Sequence, residues 1–205
     1  FPNAYYARLK PMGEMDNMES IQKEVLYAMQ PELAPARDVE TQNFAPLRFG
    51  AKDVMDLSWK NLMDAYSCTE CGRCSAACPA NLTGKLLSPR KIMMDTRDRL
   101  EAVGKNINKH KEYKDDGKSL LHDYITVEEL RACTTCNACV QECPVSISPL
   151  DIIMQLRRCL VMEESNSPQE WTAMFSNVEN NFAPWKFSPD DRDKWTEEIQ
   201  VGNGK

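Results

Sequence analysis

Apolar residues along this chain recur at helical spacing, and no stretch alternates with the period of two that marks a half-buried strand. From Asn17 to Met29 the stripe is Met18, Ile21, Val25, Leu26 and Met29. A second helix is predicted with Met55, Trp59, Leu62, Met63 and Tyr66 on one face, delivering Cys68. A third opens at Ser88-Pro89, where serine caps and proline fits the first helical position. It should bury Ile92, Met93, Thr96, Leu100 and Val103 and stop at Gly104. Thr126-Val-Glu-Glu129 reads as a capping box opening a short helix into Cys133. Ser148-Pro149 opens the last long helix, with Asp151 at its electropositive end and Ile152, Ile153, Leu156, Cys159 and Leu160 inward. The order helix, cysteine loop, proline, capped helix therefore occurs twice. The expected fold is all-α, built on a pseudo-twofold repeat.

The flanks lack this order. Residues 1–50 carry Pro2, Pro11, Pro31, Pro35 and Pro46 and read as an irregular leader or linker. Residues 51–164 hold the repeat, divided by a polar insertion from Lys105 to Asp123. Residues 165–205 form a C-terminal docking tail with Trp171, Trp185 and Trp195, anchoring on the domain's own surface or on a partner's. Asn177 to Trp185 holds too many turn formers for a helix.

The cysteine loops carry the chemistry. Cys68-Thr-Glu-Cys71-Gly-Arg-Cys74-Ser-Ala-Ala-Cys78-Pro79 matches Cys133-Thr-Thr-Cys136-Asn-Ala-Cys139-Val-Gln-Glu-Cys143-Pro144. Each reads C-x2-C-x2-C-x3-C-P, the ferredoxin run that holds a [4Fe–4S] cluster and whose fourth cysteine ligates the other cluster. That rule assigns Cys68, Cys71, Cys74 and Cys143 to cluster 1, and Cys133, Cys136, Cys139 and Cys78 to cluster 2. Structural zinc sites close with four ligands and leave a third cysteine at this spacing without a role. A disulfide framework suits smaller secreted chains; 205 residues at 42% hydrophobic content can bury a core unaided. Cys159 matches neither run and reads as a core thiol. His110 and His122 lack the setting of haem ligands, and no nucleotide loop or catalytic triad is visible.

Charge refines the picture. A net charge of −6 with no basic tract argues against nucleic acid as a partner. No stretch approaches the roughly 18 apolar residues of a membrane span, yet the chain begins at Phe1, so a preceding membrane part is expected. Cluster assembly needs reduced thiols, which puts the domain on the cytoplasmic side; together with the expected membrane part, that is the cytoplasmic face of the inner membrane. Arg73, Lys85, Arg90 and Lys91 give cluster 1 the more positive setting, which should favour its reduced form, although Glu70 and Asp95 partly offset it.

With Thr83-Gly-Lys-Leu-Leu-Ser-Pro-Arg-Lys91, Asp151-Ile-Ile153, Glu179-Asn-Asn181 and Pro184-Trp185 added to the cysteine runs, the chain resembles the iron–sulfur subunits of heterodisulfide-reductase-like oxidoreductases. It is similar in particular to membrane-anchored types that join electron-transfer flavoprotein to menaquinone. The resemblance implies an alpha-helical ferredoxin domain between a membrane cytochrome-b-like, quinone-reactive part and a soluble flavoprotein or a cysteine-rich CCG-domain protein. Single electrons would pass through its two clusters, with no substrate site in the chain itself. The alternative class is a redox-sensing or structural iron–sulfur module.

Overall fold

The computed structural model describes residues 2–6, 13–15, 19–33 and 48–197. Pro11, Asn17, Met18, Pro35 and Pro46 lie outside these residues. Among the described residues every regular element is helical, with one isolated bridge between Leu121 and Ile125 and no strand. Two compact units divide it: one runs to Glu164, the other starts at Ser165.

The first unit is organised by two long helices, α6 (Pro89–His110) and α9 (Pro149–Arg158), which pack on each other. Each begins at its expected Ser-Pro step. Ser88 accepts from Lys91 N and Ser148 from Asp151 N, with Pro89 and Pro149 in the first turn. Ile92, Met93, Thr96 and Val103 of α6 and Ile152, Ile153 and Leu156 of α9 are buried, and Cys159 and Leu160 continue the latter face. A shorter helix leads into each cysteine loop: α3 (Trp59–Ser67) before Cys68 and α7 (Val127–Ala132) before Cys133. Both open with capping boxes, Ser58 with Asn61 and Thr126 with Glu129. One-turn helices α4 (Arg73–Ala76), α5 (Pro79–Leu82) and α8 (Ala138–Gln141) complete the loops.

The third residue of each pre-loop helix is tied to the opposite half. Asn61 Nδ2 donates to Asp151 Oδ2 on α9 at 2.8 Å, and Lys91 on α6 meets Glu129 Oε1 at 2.8 Å. The polarity is inverted between the two ties, but the exchange is the same, and it locks the pseudo-twofold halves together.

Three expectations are overturned. Met55, in the 3₁₀ turn before α3, and Trp59 and Tyr66 on α3 are exposed, while Lys60, Asn61, Asp64 and Ala65 form the buried face of the helix. Asp64 pairs with Lys60 and accepts from Ser148 N, so those polar groups are satisfied against the start of α9. A period count cannot see that a buried polar face has partners. Gly104 does not end α6, which runs on to His110 and caps with Lys111 at φ 67°. A mid-helix glycine costs only about 1 kcal/mol relative to alanine, and Ile107 prolongs the apolar stripe onto the core. In the second unit, α10 (Gln169–Asn181) takes in Asn177 to Asn181, ending at Phe182 with φ 55°. Asparagine's penalty there is below about 1 kcal/mol per residue, and Asn180 Nδ2 satisfies Ser176 O one turn back.

The remaining elements are peripheral. Helix α1 (Pro2–Tyr6) packs on α3, with the Tyr6 ring edge-on to Trp59 at 5.6 Å between centroids. Helix α2 (Glu19–Met29) leaves Val25, Leu26 and Met29 exposed. In the second unit the indoles of Trp185 and Trp195 are exposed, the latter on the short α11 (Lys194–Glu197).

Beneath the insertion sits the most buried charge among the described residues. Arg99 has no solvent exposure; its guanidinium grips Asp53 (Nη2–Oδ2 2.6 Å, Nε–Oδ1 2.9 Å), Asp116 Oδ2 (2.6 Å) and the Lys118 carbonyl (2.6 Å). Asp53 also accepts from Leu120 N and caps Val54. One arginine thereby fastens the insertion to α6 and to the segment before α3.

Candidate iron–sulfur centres

The two cysteine loops take the same backbone path. Glu70 and Thr135, at matching positions, have φ of 56° and 57°; Gly72 and Asn137 have 80° and 63°. Left-handed turns are costly for residues other than glycine, so their recurrence in both copies marks a shape the loops are built to hold. Thr135 N donates to Cys133 Sγ at 3.4 Å. At the first loop the backbone of Glu70 does the same for Cys68.

These turns gather the sulfurs into two groups. One cavity, of about 350 Å³ including space open to solvent, is lined by Cys68, Cys71, Cys74 and Cys143, and Cys139 also reaches it. The other, about 320 Å³, is lined by Cys78, Cys133, Cys136 and Cys139. Cys143 bears electrostatically on Cys68 and Cys74, and Cys78 on Cys133 and Cys139. Among the described residues no three His, Cys, Asp or Glu side chains converge where a single metal ion could sit. The thiols instead ring a volume, and four sulfur donors around a small apolar chamber suit a cubane.

Burial governs the thiols. It pushes Cys68, Cys74 and Cys133 up, and Cys139 up to about 12, with neighbouring sulfurs adding to the rise. Cys71, at the exposed edge, is held low by the Arg73 backbone N–H. Crowded thiolates in such chambers need a cationic core to be stable. Cys159 is remote from this chemistry: it is completely buried, raised to about 12 by burial, and donates to Glu163 Oε2 at 3.7 Å.

The charged surroundings differ from what a count of basic residues suggests. Lys91 is consumed by Asp95 and Glu129, while Arg73, Lys85 and Arg90 are exposed. Two arginines escaped the sequence reading. Arg97 binds Glu70 Oε1 at 2.5 Å, and that bond raises its pKa. Arg157 donates to the carbonyls of Leu130 and Cys133 and is depressed by burial, with Cys133 acting the other way. The one signal that could have found them is their equal offset from the two Ser-Pro helix starts.

The leader touches the second loop at two places. Asn3 Nδ2 donates to Val145 O at 2.6 Å, just past Cys143-Pro144, with its own Oδ1 buried and without a partner. Gly13, at φ 82°, lies so close to Asn137 that a Cβ would come within 2.9 Å of Oδ1.

Models of a family described as "4Fe-4S dicluster domain" match residues 67–147, spanning both runs, and residues 11–83, spanning the leader and the first run. The chain carries a 4Fe–4S dicluster domain. Its cofactors are two [4Fe–4S] clusters. It is 33% identical over 172 residues to "EtfAB:quinone oxidoreductase" of Syntrophomonas wolfei, covering 75% of this chain and 24% of that protein. It is 32% identical over 174 residues to a Chromohalobacter salexigens protein named "Probable membrane-anchored ferredoxin", 77% of this chain and 25% of the other. A third relative is a component of the ferredoxin/F(420)H(2)-dependent CoB-CoM heterodisulfide reductase of Methanosarcina acetivorans. The two are 34% identical over 120 residues, 58% of this chain and 60% of that one. The chain thus spans about a quarter of the length of the first two relatives. The resemblance to heterodisulfide-reductase-like iron–sulfur proteins holds. No described helix is long and apolar enough to cross a membrane.

Proposed function

We propose that this chain relays single electrons between a soluble redox protein and a quinone-reactive partner at the cytoplasmic face of a membrane. The observation that carries the reading is the pair of adjoining sulfur-lined chambers, sharing Cys139 at their boundary. Each cluster, when bound, accepts and releases one electron, and two side by side make a path through the domain. Ligation is crossed in this reading: Cys68, Cys71, Cys74 and Cys143 hold cluster 1, and Cys133, Cys136, Cys139 and Cys78 hold cluster 2. The protein's own part is to fix eight thiolates, to donate backbone N–H groups to them and to exclude water from the inner sulfurs.

The exposed edges supply the docking surfaces. Cys71 and Cys136 both reach solvent. Near cluster 1, Asn3 brings α1 against Val145, and the mutually packed rings of Tyr5, Tyr6 and Trp59 are left exposed. Aromatic residues of this kind suit a lipid–water boundary or a membrane partner. Relatives named as a quinone oxidoreductase and as a membrane-anchored ferredoxin support the same reading. In this reading residues 1–50 are a leader, residues 51–164 the cluster domain and residues 165–205 a docking tail for the soluble partner.

The test uses the intact complex purified with its membrane part. Both clusters should be reduced by the soluble partner and reoxidised by a quinone over repeated cycles without loss of iron. Clusters that dissolve on the first oxidation would instead identify a sensor.

A further inference from the structure

Aligning the two halves on their Ser-Pro helix starts puts one arginine of each half in register. Arg97 lies eight residues past Pro89, and Arg157 eight past Pro149. Each bears on the first cysteine of its own loop, Arg97 on Cys68 and Arg157 on Cys133. Their partners differ in charge. Arg97 Nη2 meets the Glu70 carboxylate, a member of the first loop, at 2.5 Å. The matching residue of the second loop is Thr135, which has no charge to offer. Arg157 donates Nε and Nη2 to Leu130 O (2.8 and 2.5 Å) and Nη2 to Cys133 O (2.5 Å). No carboxylate among the described residues forms an ion pair with it.

We propose that Arg157 sets the order of the two reduction potentials, making the cluster held through Cys133 the easier to reduce, while Glu70 cancels the corresponding effect of Arg97 at the cluster held through Cys68. Reduction adds one negative charge to a cluster, and an uncompensated positive charge close by favours that state. Arg90 lines the first chamber, but like Arg73 and Lys85 it is exposed, so water and salt screen all three. The order is therefore opposite to that suggested by counting basic residues along the first loop. In a chain holding one electron, that electron resides on the Cys133 cluster. Arg157 is a positioning residue in this scheme, acting through charge and through the Cys133 carbonyl rather than by ligation.

The inference rests on the relay reading, because it requires two reversible couples. Reductive titration with dithionite, followed by EPR, reads both couples in the cluster-loaded chain. Arg157→Gln keeps donors for the carbonyls and removes the charge. It should lower the higher-potential couple, changing its reduced-to-oxidised ratio about tenfold at fixed potential, or about 59 mV for one electron. The lower couple should stay in place, and Arg157→Lys should recover most of the shift. Glu70→Gln, at an exposed site, should raise the lower couple by freeing Arg97. Arg157→Gln moving the lower couple, or moving neither with iron content intact, overturns the proposal. If that variant fails to hold clusters, Glu70→Gln decides: a shift in the higher couple, or in neither, overturns it. Wild-type clusters that do not reduce reversibly would defeat the relay itself, a result distinct from a wrong order.

Discussion

Replacing Cys78 with serine should cripple the cluster held by Cys133, Cys136 and Cys139 and spare the one nearest to Cys78 in sequence; Cys143→Ser should do the reverse. The expectation follows from the fourth cysteine of each run, which the following proline turns away from its own loop. Cys78 lines the chamber of the second run and Cys143 that of the first. Each single variant should lose roughly half of the iron, since one of two four-iron clusters is affected. Serine oxygen can hold iron weakly, so pairs of variants give the cleaner reading. Cys78→Ser with Cys136→Ser should be little worse than Cys136→Ser alone, because both act on one cluster. Cys78→Ser with Cys71→Ser should lose both. Non-additivity of this kind marks residues that share a site. If Cys78→Ser proved redundant with Cys71→Ser instead, each run would hold its own cluster and the crossed assignment would fall.

The largest effect on stability should come from Arg99→Met. The guanidinium is wholly buried, and its loss strands Asp53 beside a vacant donor position and frees Asp116 and the Lys118 carbonyl. Breaking one side of a buried ion pair costs about 3–5 kcal/mol. For a chain of this size that corresponds to a fall of about 10 °C in the midpoint of thermal unfolding, measured by helical circular dichroism on cluster-loaded protein. Asp116→Asn should cost much less, on the order of 1 kcal/mol, because that carboxylate is partly hydrated and Asp53 keeps the arginine paired. Equal midpoints for Arg99→Met and the wild type would show that the insertion is held by something else.

The parts of this structure that were legible in sequence depend on local chemistry. Ser88-Pro89, Ser148-Pro149 and Thr126 with Glu129 announce helix starts because capping is satisfied within a few residues. The cysteine runs announce their cofactor because three sulfurs at three-residue intervals have few other uses. What escaped depends on contacts between distant segments. The exposed Trp59 face of α3 could not be told from a core face, since Asn61 and Asp64 find their partners ninety and eighty-four positions away. Gly104 and the asparagines of α10 look like helix breakers only while neighbouring residues are ignored. Arg157 carried a weak signal, its register with Arg97, but its meaning required the carbonyls it meets. Counting basic residues near the first loop missed that Lys91 is already paired with Asp95 and Glu129.

The relay requires two [4Fe–4S] clusters standing close together in one domain, in chambers that meet at Cys139. Spin quantitation of the fully reduced chain by EPR, alongside iron and sulfide analysis, probes that arrangement without any partner. Two paramagnetic clusters per chain are expected, with about four iron atoms in each, their signals broadened and split by mutual interaction. A single isolated spin per chain, or zinc in place of iron, would rule the arrangement out.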